Sequence, residues 1–151
     1  MKKKYIIIIC VILAIVLVLG IAWNVMSDYS RTLKANWGFE LPFFSQYTEV
    51  YEKDSGLSFH GDGIRCHVFS YKYEDYIDLM FTWRHMEDVT IFGESYSEAA
   101  ENWLVEIDVE EEWHPDYENC LYWYRSREDN SQLLIFWDPE QNLLYVLESF
   151  I

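Results

Sequence analysis

Glycine and proline are scarce in this chain, at 6 and 3 of 151 residues. That scarcity excludes a collagen-like, linker-like or low-complexity design. Cysteine is as rare, with 3, too few for a disulfide-built scaffold. Positive charge is the largest deficit, with 11 Lys and Arg against 26 Asp and Glu. All 26 acidic residues lie at or after Asp28, so residues 28–151 hold eight basic side chains and a net charge of −18 with histidine neutral. Such a surface repels phosphate backbones, which argues against nucleic acid as a partner and favours a basic partner or bound cations. The charge also serves to keep an aromatic-rich domain in solution. There is no Gly-rich phosphate loop, no nucleophile elbow, no paired-histidine zinc helix and no Cys/His arrangement that reads as a catalytic pair. The expectation is therefore no catalytic residue, no metal site and no cofactor.

What the chain has in quantity is aromatic side chains, 7 Trp, 12 Tyr and 9 Phe. A disordered chain lacks this much buriable surface. From Asp28 onward the length suits a single domain with its own core.

The N-terminus is a separate physical object. Lys2, Lys3 and Lys4 precede Tyr5–Trp23, 19 residues without a charge. As a helix that run is about 30 Å long, enough to cross a hydrocarbon core. Gly20-Ile21-Ala22 and Val25-Met26-Ser27 resemble signal-peptide cleavage sites, but the apolar run exceeds the usual signal-peptide length and Trp23 suits an interfacial anchor. The expectation is a signal anchor that stays in place. Residues 1–4 form a basic cytoplasmic stub, 5–23 a transmembrane helix through the lipid bilayer, 24–36 a juxtamembrane tether and 37–151 an acidic extracytoplasmic domain. The basic flank sets the orientation, with lysines retained in the cytoplasm and the C-terminal domain sent across.

Trp37 to Phe44 is apolar without a clean period and contains Pro42, which reads as an irregular strap. Tyr47–Lys53 alternates as a strand. Leu57–His60 and Ile64–Tyr71 are further strands around the tight turn Gly61-Asp62-Gly63. Glu74–His85 reads as a helix, with acids in its first turn and Arg84 and His85 in its last, and a strand over Leu79–Trp83 is the alternative. Ser95–Asp108 is the clearest helix. Ser95 and Glu98 form a capping box, and Tyr96, Ala99, Ala100, Trp103, Leu104 and Ile107 make an apolar stripe. Leu121–Arg127, Leu133–Asp138 and Leu143–Phe150 are three strands of a meander. The order predicts an α+β domain, an antiparallel sheet of about five strands with two helices on one face.

The last three strands are apolar on both faces. Helices cover one face, so the other needs the Trp37–Phe44 strap, a second copy, or a partner. Tyr122 and Tyr124 are the candidate binding residues, because their hydroxyls tolerate water. His60, Asp62, Cys66 and His67 fit no zinc spacing, and adjacent Cys66 and His67 point to opposite strand faces. Cys66 and Cys120 could pair across an oxidising compartment or remain small buried residues. The carboxylates of Glu110–Glu112, Asp116 and Glu118 lack the spacing and turn glycine of an EF-hand. The functional expectation is a non-enzymatic, membrane-anchored binding domain for a basic protein, such as an immunity or inhibitor protein. The alternative is an anchored envelope hydrolase using paired carboxylates.

Overall fold

The computed structural model describes residues 11–17, 29–42, 46–56, 62–85, 90–91 and 94–151, with the backbone alone at 90, 91 and 94. Chain contacts divide the protein into two units, Met1–Leu41 and Pro42–Ile151. The described residues form an α+β structure with three helices, α1 (11–17), α2 (Tyr29–Trp37) and α3 (Tyr96–Glu106).

In the first unit, α1 is exposed along its whole length. The remainder of the expected span 5–23 lies outside the described residues, and among the described residues no helix is long and apolar enough to cross a membrane. Helix α2 occupies most of the stretch expected to be a tether. Its buried residues Ser30, Leu33 and Trp37 recur at i, i+3 and i+7, the spacing of one helix face. Gly38 follows at φ +80°, and its N–H donates to the Lys34 carbonyl at 3.0 Å. This is the left-handed C-cap that only glycine adopts without strain.

The second unit is built on a six-stranded antiparallel sheet in the order β1-β2-β8-β7-β6-β3. Its strands are β1 (Tyr47–Asp54), β2 (Gly63–Tyr71), β3 (Arg84–His85), β6 (Leu121–Ser126), β7 (Gln132–Asp138) and β8 (Leu143–Phe150). A separate two-stranded ribbon pairs β4 (Thr90–Ile91) with β5 (Glu94–Ser95). Against an expected sheet of about five strands the described residues form six, and the edge strand β3 comes from the stretch expected to be a helix. The expected strand Leu57–His60 lies outside the described residues. Gly63 opens β2 at φ +140°, a backbone conformation that strains other residues, and a Cβ there would also press on the Ser55 side chain.

Helix α3 forms as its sequence predicts. The Ser95 side chain accepts from the Glu98 N–H, and the Glu98 carboxylate accepts from the Ser95 N–H. Tyr96, Ala99, Ala100, Leu104 and Ile107 pack against Cys66, Val68, Tyr122, Leu134, Phe136, Tyr145 and Leu147 on one face of the sheet.

The expected helix Glu74–His85 is absent. Residues 75–80 form successive turns, with the Ile77 N–H donating to the Glu74 carbonyl and the Met80 N–H to the Ile77 carbonyl. Its aromatic rings make tertiary contacts that override the weak helical propensity of the segment. Phe81 stacks on Trp123 at 4.2 Å, the Trp83 indole N–H donates to the Ile77 carbonyl, and Arg84–His85 join the sheet edge. One helix rather than two therefore lines the sheet face in this unit.

The opposite sheet face carries Phe69, Leu133, Ile135, Trp137, Leu144 and Val146, each no more than 1% exposed.

Candidate functional site

Two features of the second unit stand out, an aromatic pocket at the start of α3 and an acidic ridge beyond its end. β3 pairs with β6, placing Arg84 opposite Tyr122. Tyr96, the first residue of α3, lies over the rings of Tyr122 and Tyr124 at centroid distances of 5.0 and 4.9 Å. Thr82, Arg84, Tyr96, Tyr122, Trp123 and Tyr124 line a pocket of about 280 Å³, close to the lower end of the range for small-molecule sites and ample for one large side chain. Burial holds the Tyr96 phenol above its ordinary range, and the nearby Arg84 opposes that only weakly. Tyr96 is thus a neutral hydroxyl near pH 7, able to donate a hydrogen bond. The buried Tyr122 hydroxyl has no hydrogen-bond partner among the described residues. An unmade buried bond of this kind costs about 1–3 kcal/mol.

Of the two expected contact residues, Tyr124 is half-buried and Tyr122 only 2% exposed. Tyr122 therefore offers a pocket wall rather than a projecting ring. Thr82, Arg84 and Tyr96 complete the pocket. Their part in it is not visible in the sequence because it depends on segment 82–85 pairing as a strand rather than continuing a helix.

The ridge follows directly. Glu106, Asp108, Glu110, Glu111, Glu112, Asp116 and Glu118 are all exposed. Between Arg84 and Arg125 the chain contains no Lys or Arg and 12 Asp and Glu. Part of the ridge is pinned to the sheet. Tyr51 donates to the Glu110 carboxylate and stacks on Trp113 at 5.0 Å, and the Lys53 ammonium donates to the Asp108 carbonyl. The Tyr51 bond holds the Glu110 carboxyl below its usual range, so it stays ionised. His114 bridges the Glu101 carboxylate and the Val109 carbonyl, at 3.1 Å to each. The ridge is thus held at Asp108 and Glu110, the two carboxylates that Lys53 pairs, and Glu111–Trp113 is wound into a short 3₁₀ turn.

Cys66 and Cys120 are both buried and both free. Burial pushes each thiol up to about 12, so neither offers a thiolate near neutrality.

A third cluster has no counterpart in the sequence reading. Glu49, Glu52 and His67 lie together on one sheet face, with His67 Nδ1 2.5 Å from Glu49 Oε1. Of the four residues weighed from sequence for a metal, His67 belongs to this cluster, Cys66 points into the α3 core, and His60 lies outside the described residues.

The sequence matches no family profile and no curated protein, and its fold matches no solved structure.

Proposed function

We propose that this chain is a membrane-anchored, extracytoplasmic binding domain for a basic protein partner, acting as an immunity or inhibitor protein does. The observation that carries the proposal is the exposed ridge Glu106–Glu118, seven carboxylates of which Lys53 pairs with only Asp108 and Glu110, at 3.8 and 3.9 Å. A single-sign surface accelerates encounter with an oppositely charged partner and discriminates against others. The pocket under Tyr96 supplies what the ridge does not, a place for an apolar or aromatic side chain to be desolvated, as interface anchors are. Tyr96 and Arg84 are donors at that pocket for a backbone carbonyl of the inserted segment. The apolar run Tyr5–Trp23 holds the domain at the bilayer with its C-terminal part outside.

The test uses the full chain in detergent micelles as bait for envelope and secreted fractions. The proposal predicts recovery of a basic protein, held in low salt and released in high salt. It further predicts weaker capture when Glu110, Glu111 and Glu112 are changed together to Gln, and faster dissociation with Tyr124→Ala. Retention indifferent to salt and to both variants would refute it.

An anchored hydrolase is the second reading, and Glu49 with Glu52 beside His67 is the carboxylate pair that favours it. That reading predicts hydrolysis of an envelope polymer that is lost in Glu49→Gln.

A further inference from the structure

We propose that Glu49, Glu52 and His67 form a binding site for one divalent first-row transition-metal ion of the zinc class. The site arises from a local irregularity in β1. Glu49 pairs with Phe69 and Tyr51 with Val68, so Val50 is an extra residue in the ladder. Side chains alternate between faces along a regular strand, which would place Glu49 and Glu52 on opposite sides of the sheet. The bulge reverses the alternation. Tyr47 and Glu49 before it, and Glu52 opposite His67 after it, come to the same face. The strand thereby gathers two carboxylates around one imidazole.

The donor atoms of the three residues lie within 4.8 Å of one another. Around a metal at about 2.0–2.2 Å, tetrahedral ligand atoms stand roughly 3.4 Å apart. Closing the site therefore needs a shift of about an ångström, and the exposed Glu52 side chain has the torsional freedom to make it. The imidazole is held in place. The His67 side chain is 9% exposed and the Glu49 side chain 29%, and the His67 ring stacks on Phe69 at 6.3 Å. The Glu52 carboxylate has no hydrogen-bond or ion-pair partner among the described residues, so it is available to a metal ion. Arg65, two residues before His67 on β2, lies over the Phe150 ring at 4.8 Å.

On binding, the metal takes the place of the hydrogen between His67 Nδ1 and Glu49, and the neutral imidazole carries its single N–H on Nε2. One nitrogen and two carboxylate oxygens suit zinc and its neighbours better than calcium or magnesium, which prefer all-oxygen shells. Three protein ligands leave a coordination position for water.

The test uses the full chain in detergent micelles, stripped of metal and titrated calorimetrically with zinc chloride. A parallel titration with cobalt(II) is followed by its visible d–d absorption. One ion per chain is expected, with a ligand-field band in the cobalt form. Glu52→Gln should weaken binding by at least about tenfold, whereas Glu111→Gln in the acidic ridge should leave it unchanged. His67→Gln should abolish it; because His67 is buried, the exposed Glu52 variant decides the matter if that protein fails to fold. No binding of zinc by the parent chain, or parental affinity in Glu52→Gln, would overturn the proposal.

Discussion

Glu148 sits in the middle of the sheet, opposite Arg65 on β2 and Leu133 on β7, with its side chain fully buried. Burial raises its carboxyl to about 8, against an ordinary value near 4.3. In the unfolded chain the group ionises near its ordinary value; in the folded chain it keeps its proton to about pH 8. Between those limits the folded state binds more protons, so stability falls as pH rises, by a few kcal/mol over the window. Glu148→Gln should flatten this slope and raise the urea midpoint at pH 8, while leaving it little changed at pH 4. An unaltered slope from pH 5 to 8 would contradict this assignment. The two core thiols make a second test at this scale. Cys66 and Cys120 should resist alkylation in the folded chain and react together on unfolding, with no mass change on prior reduction. Neither property is legible in the sequence. A glutamate six residues into an apolar strand reads as an outward-facing charge, and two cysteines distant in sequence leave a pair and two small buried residues both open.

Among the elements, α3 was legible because its signals agree. The cap, the apolar stripe and the acidic first turn all specify the same helix, and the structure places its N-terminus at Tyr96. Ser95→Ala removes the reciprocal cap and should cost about 1 kcal/mol in urea unfolding; no measurable loss would show that the cap contributes nothing. The meander β6–β8 was legible for the same reason, since turn residues separate runs of strand-forming side chains. Segment 74–85 misled because its end charges match a helix, whereas Phe81 and Trp83 gain more by packing on Trp123 and over Ile77. Helix α2 carried its Ser30, Leu33 and Trp37 spacing and a terminal Gly38 in a stretch that reads as a tether by composition alone. The bulge at Val50 has no residue signature. It decides which face Glu52 occupies, and the Glu49–Glu52–His67 cluster therefore emerges only from the pairing register.

At the scale of the whole molecule, charge and topology decide the account. Residues 28–151 carry −18 beside an N-terminal run with three lysines and no acid. The α+β class and the antiparallel sheet follow from the sequence because strand, helix and strand signals occur in that order. The pocket does not follow, since it joins Thr82 and Arg84 to Tyr96 and β6 across separate segments. Steering by the ridge predicts an association rate with a basic partner that falls steeply with ionic strength, while dissociation changes little. Stopped-flow mixing at low and high salt separates the two, and a salt-independent association rate would count against a role for the ridge. The domain can meet an external partner only if Tyr5–Trp23 threads the bilayer. The most direct measurement fuses, after Ile151, a reporter enzyme that is active only outside the cytoplasm. The account predicts an active reporter in the membrane fraction; an inactive one, with a cytosolic reporter at the same position active instead, would contradict it.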